Sequence, residues 1–167
     1  AAVLLCTPAG LRRLGLGSTG PRVLGVGLVS GSVQTGLGDL NVEDVSRRAG
    51  EEAWRLSGVG PDDIDLVEMH DCFTIAEIVR MEGLGLVPHG RGAAWAADGV
   101  TALGGRLPVN PSGGLLSRGH PVGATGAAQV CELTWQLRGT AGGRQVDGAR
   151  AALAYCKGGT VNGTDGG

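Results

Sequence analysis

Two histidines and a cysteine carry the clearest chemical potential in this sequence, each placed where an apolar run meets a loop or a helical pattern. His120 follows the glycine-lined stretch Asn110-Pro111-Ser112-Gly113-Gly114 and sits within Gly119-His120-Pro121-Val122-Gly123-Ala124-Thr125-Gly126. Pro121 suits a first helical position, where its missing N–H costs nothing, and Ala127 to Arg138 carries apolar side chains at helical spacing. His120 would then face the positive end of a helix dipole, which disfavours the imidazolium and leaves a ring able to accept a proton near neutral pH. A single histidine before a helix is more often a cap or a surface residue, so a catalytic reading needs further groups. They are present. Glu68-Met69-His70-Asp71-Cys72-Phe73 ends the apolar run Ile64-Asp65-Leu66-Val67, and Tyr155-Cys156-Lys157-Gly158-Gly159 ends Ala152-Leu153-Ala154. Strand ends that feed helices are rigid at both sides and collect ligands and reacting groups. A thiol with an ordinary pKa near 8.5 that meets an imidazole base could serve as a nucleophile or exchange protons.

The elements that must position these groups alternate between strand and helix patterns, which predicts an α/β layered fold. Ala2 to Leu5 reads as the tail of a strand, and the stretch up to Pro21 as a connector. Val23 to Val29 reads as a strand, followed by a glycine-rich loop to Leu40 and a helix from Val42 to Ser57 with Asp39 and Asn41 as candidate caps. A turn at Pro61-Asp62-Asp63 leads to a strand over Ile64 to Met69 and a helix over Phe73 to Leu84. Val87 to Leu107 has little periodicity and reads as a long loop over the site. A helix over Val122 to Leu137 follows, then strands at Gln145-Val146 and Ala151 to Tyr155, with another beginning at Val161-Asn162-Gly163.

Composition narrows the function classes. A chain of 167 residues supports one core, and its formal charge of −2 lacks the basic excess of a nucleic-acid reader. No apolar run approaches the roughly 20 residues that span a bilayer, and no leader is visible, so a cytoplasmic protein is expected. Cys6, Cys72, Cys131 and Cys156 form no CxxC pair, which argues for reduced thiols and against a metal site. Cys6 and Cys131 read as packed thiols, Trp54 and Trp135 as core or interface anchors, and Arg12-Arg13 and Arg47-Arg48 as solvated faces. Gly15-Leu16-Gly17-Ser18-Thr19-Gly20 satisfies GxGxxG, yet a strand pattern follows it where a dinucleotide fingerprint needs a helix. Asn162-Gly163-Thr164 is a glycosylation sequon without meaning in a chain lacking a secretory signal.

Taken together, the clusters resemble those of a thiolase C-terminal half, nearest the sterol-carrier or lipid-transfer branch. His70-Asp71-Cys72-Phe73 matches the HDCF motif of that branch, where other thiolases carry NEAF; Gly119-His120-Pro121 matches GHP, and Cys156-Lys157-Gly158 is similar to CxG. Glu132 to Gly139 and Ala141 to Val146 also resemble this branch, so the likeness runs from about Arg22 to Thr164. It implies an incomplete thiolase-like fold, a mixed β-sheet layered with helices: residues 1–21 as the end of an N-terminal half and a connector, 22–167 as the C-terminal domain.

By resemblance, His120 activates a nucleophilic cysteine in an N-terminal half that this sequence does not include, and helps bind the thioester oxygen. His70 stands for the NEAF asparagine that positions an oxyanion-hole water. Cys72 and Cys156 are rival candidates for the acid/base thiol, and the Gly158 N–H joins a second oxyanion hole. The branch usually has His-Asn where this sequence has Tyr155-Cys156, so Tyr155 is a further acid/base candidate, as in aldolase-like relatives, and Lys157 could lower the pKa of Cys156. The resemblance implies Claisen condensation or thiolytic cleavage of 3-oxoacyl-CoA, with coenzyme A thioesters as substrates and no bound cofactor. It also implies an N-terminal half or partner chain, a homo- or hetero-oligomer, and an isolated chain without activity. Two other readings stay open: a non-catalytic acyl-CoA- or lipid-binding subunit, and retro-aldol cleavage of a sterol side-chain CoA ester.

Overall fold

The fold assembles around β1 (Leu66–Met69), whose four residues are buried along their whole length in this computed structural model, which describes residues 1–17, 20–31 and 44–158. A strand buried on both faces needs neighbours on both edges. β2 (Ala152–Tyr155) runs parallel to it in the register Leu66↔Ala152 to Met69↔Tyr155, and Val109 pairs with Val67 on the opposite edge. The near-continuous apolar pattern of both strands is what such parallel burial demands. The core around β1 gathers Val67, Met69, Met81, Leu86, Leu107 and Tyr155, with Trp54 and Trp95 packed against it.

The described residues form six α-helices besides this sheet: α1 (Pro8–Arg13), α2 (Asp44–Ser57), α3 (Thr74–Gly83), α4 (Gly92–Ala97), α5 (Gly114–Arg118) and α6 (Thr125–Leu137). α2 turns Ala49 and Gly50 inward, and the Trp54 indole N–H donates to the Leu84 carbonyl at 3.2 Å. Its outer face carries the ion pairs Arg47–Glu51 and Arg48–Asp44, as expected of a solvated stripe; exposed pairs of this kind contribute only a few tenths of a kcal/mol each. Trp54 is therefore an anchor.

Several expectations about elements change. Residues 23–29 form no ladder among the described residues, because Gly25 and Gly27 let the backbone lie directly on α2: a Cβ would fall 2.9 Å from the Ala53 carbonyl oxygen at Gly25 and 2.0 Å from that of Ala49 at Gly27. Residues 2–5 are exposed and non-regular. The connector holds α1, started by Thr7, whose hydroxyl accepts from the Gly10 N–H at 3.1 Å, with Pro8 in its first turn. The predicted loop over 87–107 contains α4, an alanine-rich turn and a half whose N-terminal Gly92 N–H donates to the Glu82 carboxylate at 2.9 Å. Gln145 and Val146 form no strand; the Gln136 side chain takes the Val146 N–H at 2.8 Å instead. Cys6 is exposed rather than packed, while Cys131 is half-buried on α6 and Trp135 is 46% exposed beneath the Arg144 guanidinium. The candidate caps Asp39 and Asn41, the loop to Leu40, the start of the helix at Val42, the strand from Val161 and the sequon lie outside the described residues. Among those described, no helix is long and apolar enough to cross a membrane.

Candidate active site

Four hydrogen bonds stitch the segment from Asn110 to Leu115 onto the end of β1 and the residues after it. The Met69 N–H donates to the Asn110 side chain at 2.7 Å, Ser112 donates to the Glu68 carboxylate from its N–H at 3.0 Å and its hydroxyl at 2.7 Å, and the Leu115 N–H donates to Asp71 at 2.6 Å. Asn110 adopts φ 53, a left-handed conformation that a short polar side chain tolerates better than most. Gly114, at φ +59, faces Asp71 so closely that a Cβ would lie 2.2 Å from its carboxylate. Burial pushes the Glu68 carboxyl up, while the two Ser112 bonds and Arg118 act in the opposite direction.

This stitching fixes α5 and the turn after it, from which His120 folds back toward β1. The rings of His70 and His120 meet edge to face with centroids 4.8 Å apart. His70 is held from a strand and a helix: its N–H donates to the Tyr155 carbonyl of β2 at 2.9 Å, and its own carbonyl accepts from the Arg80 guanidinium of α3. His120 Nδ1 lies 2.7 Å from the hydroxyl of the buried Thr125, the first residue of α6. The Cys156 thiol lies 3.7 Å from His70 Nδ1, and a Cβ added at Gly126 would lie 3.7 Å from the same sulfur. Loops after β1, after α5 and after β2 thus bring two imidazoles and one thiol together. Pro121 is not the first helical residue; its carbonyl accepts from the Ala124 and Thr125 N–H groups in a turn that precedes α6, so the ring is anchored by Thr125 rather than set at a helix mouth.

The electrostatics are those of neutral groups. Burial first, then the Arg80, His120 and Lys157 charges, bring His70 down to about 4 against the opposing pull of Asp71. Burial pushes the Cys156 thiol up, partly offset by Arg80. The residue is exposed as a whole, yet its sulfur is turned toward His70 and Gly126, and that local crowding decides the direction. At neutral pH the pair is a thiol beside an imidazole, not a thiolate–imidazolium ion pair. The sequence expectation that Lys157 depresses Cys156 changes accordingly: the cation that lowers the thiol is Arg80, and Lys157 acts on His70.

Cys72 is half-buried, and its thiol has no hydrogen-bond partner among the described residues. Tyr155 is 4% exposed in the core, its hydroxyl 2.8 Å from the buried Ser46 hydroxyl of α2, so the side chain points away from Cys156 across the strand pleat. Tyr155→Phe is expected to lower unfolding free energy by about 1–2 kcal/mol, the usual cost of losing a buried hydrogen bond, as read from urea denaturation. Gly158 is exposed at the edge of the described chain. Cavities of about 570 Å³, around Leu86 and Trp95, and about 400 Å³, around Ser112 and Cys131, have neither His70, His120 nor Cys156 in their walls. Sequence reasoning missed Thr125 and Arg80. Thr125 was visible as a hydroxyl five residues beyond His120; Arg80 carried no signal, because an arginine in an amphipathic pattern reads as solvated.

Residues 31–165 match the family described as thiolase C-terminal domain-like. Human sterol carrier protein 2 is 43% identical over 159 residues, covering 93% of this chain and 29% of its own. Acetyl-CoA acetyltransferase of Methanothermobacter thermautotrophicus is 50% identical over 122 residues, 73% of this chain and 32% of its own. Benzoylsuccinyl-CoA thiolase subunit BbsB of Thauera aromatica is 38% identical over 159 residues, 95% of this chain and 41% of its own. Among solved structures, an Ltp2-ChsH2(DUF35) aldolase superposes with a TM-score of 0.68 at 27% identity, covering 84% of this chain and 37% of that one. The chain therefore spans less than half the length of each of these relatives.

Proposed function

Because the chain belongs to the thiolase C-terminal domain-like family, we propose that it supplies the histidine-and-thiol half of a site for Claisen condensation or thiolytic cleavage of 3-oxoacyl-CoA thioesters. The observation that carries this reading is the meeting of His120, His70 and Cys156 at one point. In the cleavage direction, a cysteine thiol of the N-terminal half gives its proton to His120 and attacks the 3-keto carbon. The C2–C3 bond then breaks, and the departing enolate takes a proton from Cys156 to leave as the shorter thioester. Incoming coenzyme A returns a proton to Cys156 and attacks the acyl-enzyme; the released cysteine recovers its proton from His120. His70, kept neutral, holds an oxyanion-hole water, and the Gly158 N–H faces the second developing oxyanion.

The N-terminal half lies on the same polypeptide or on a partner chain, and residues 22–167 act as the C-terminal domain. Exposed apolar side chains such as Leu4, Val23, Val26 and Leu28 support a covering partner, since monomers rarely leave such surface bare. Reduced, unpaired thiols fit a cytoplasmic setting.

The deciding experiment is α-proton exchange. With the N-terminal half present, deuterium incorporation from heavy water into acetyl-CoA is expected to vanish in Cys156→Ala and persist in Cys72→Ala; the reverse pattern would transfer the role to Cys72. A retro-aldol reading draws support from the aldolase named among the similar structures. It would require Tyr155→Phe to abolish lyase turnover, although that hydroxyl is engaged by Ser46.

A further inference from the structure

Arg80 is a charged residue on a buried helix face. It lies on the inner face of α3, 7% exposed, seven residues into a helix whose other buried residues are Ala76 and Met81. Its guanidinium donates to the His70 carbonyl and lies 6.0 Å from the centre of the Tyr155 ring. Those two contacts fall where the two paired strands end, because Met69 pairs with Tyr155 and His70 follows Met69 directly. One planar cation therefore sits at the ends of both strands, from which two of the three loops of the site leave. A lysine could reach the carbonyl as a point charge, but it would not span a carbonyl and a ring face with one rigid fork.

We propose that Arg80 is a positioning residue of this site: its buried guanidinium clamps the end of β1 to the end of β2 and holds a fixed positive charge behind both the His70 imidazole and the Cys156 thiol. The consequences differ for the two groups. A nearby cation disfavours a second positive charge, so His70 stays neutral; the same cation favours a thiolate, so Cys156 is opposed in its burial-driven rise. A neutral imidazole can hold a water by hydrogen bond, and a thiol that can still ionise can exchange a proton with carbon. One buried charge tunes both properties at once. The groups that face His70 are Arg80 from α3, His120 from the loop before α6, Cys156 and Lys157 from the end of β2, and Asp71 beside it. Asp71 alone pulls the other way, and its carboxylate is already bonded to the Leu115 N–H.

This role deepens the thiolase reading and rests on it for its meaning, but protonation can be followed without turnover, so failure of one is distinguishable from failure of the other. The experiment measures the pH midpoint of the His70 imidazole by NMR, and that of Cys156 by iodoacetamide alkylation with peptide mass mapping, in Arg80→Met, Arg80→Gln and Arg80→Lys. Removing the charge is expected to move both midpoints to higher pH and to slow Cys156 alkylation at neutral pH by about two- to fivefold, less than the loss of thiolate because a more basic thiolate is a better nucleophile. Arg80→Gln keeps a donor for the His70 carbonyl, so it serves where the methionine variant does not fold. Arg80→Lys, which restores the charge, is expected to bring both midpoints back toward the wild-type values. Folded neutral variants with unchanged midpoints, or a lysine variant that behaves like the methionine one, would overturn the proposal.

Discussion

Thiolysis by the enzyme assembled with its N-terminal half is expected to fall by about 10²–10⁴ on His120→Ala, the range a positioned general base contributes. The reason lies in how the ring is held. Its Nδ1 is 2.7 Å from the Thr125 hydroxyl, which also reaches the Pro121 carbonyl at 3.3 Å. A hydroxyl that donates to a carbonyl must accept from the ring, so the proton sits on Nδ1 and Nε2 keeps its lone pair. That is the tautomer a base needs. Thr125→Val removes the constraint and is expected to reduce turnover less, in the same direction. His120 is half-buried and outside the core cluster, so the alanine variant should keep its secondary structure. The loss should therefore appear in kcat more than in KM. Stopped assays of acetoacetyl-CoA cleavage, with circular dichroism as the folding control, would measure it. Wild-type turnover in His120→Ala would remove the catalytic reading and favour a chain that only binds its substrate or supports a partner.

What could be read from residues alone follows a physical line. β1, β2, α3 and most of α6 were legible because apolar periodicity is set by burial, and their burial is set by neighbours within this sequence. The segment at 23–29 has a similar apolar run, yet its glycines direct it onto α2 rather than into a ladder, a choice made by close approach that periodicity does not encode. α1 and α4 were missed because six residues hold too few turns for a period, although Thr7-Pro8 is a sound start signal. In the site, His70, His120 and Cys156 were legible as junction residues. Their protonation was not. The dipole argument for His120 assumed a helix beginning at Pro121, whereas α6 begins at Thr125, and the cation expected at Lys157 is supplied for the thiol by Arg80, forty residues before His120 in the chain. Charge effects depend on distance through space, and only the fold sets that distance.

Gly114→Ala is expected to lower the unfolding free energy by about 3–5 kcal/mol, a large part of the 5–15 kcal/mol typical of a domain. Two costs combine. An L-residue at φ +59 costs about 1–2 kcal/mol, and the added methyl would lie 2.2 Å from the Asp71 carboxylate, which must withdraw. Withdrawal weakens the 2.6 Å bond from the Leu115 N–H, a charge-assisted bond worth roughly 1.5–3 kcal/mol. The two contributions separate in a double-mutant cycle. If Asp71 is the obstacle, Gly114→Ala should cost only the backbone term of about 1–2 kcal/mol in an Asp71→Ala background, leaving a coupling above about 1 kcal/mol between the sites. Urea unfolding of the four proteins gives each value. Because Asp71 adjoins His70 and the glycine opens the helix that precedes His120, the same substitution should also spread the two imidazoles and slow exchange at Cys156. Additive costs, or a Gly114→Ala variant within about 0.5 kcal/mol of the parent, the range of an ordinary surface substitution, would mean that the Asp71 clamp does not set the spacing of the two imidazoles.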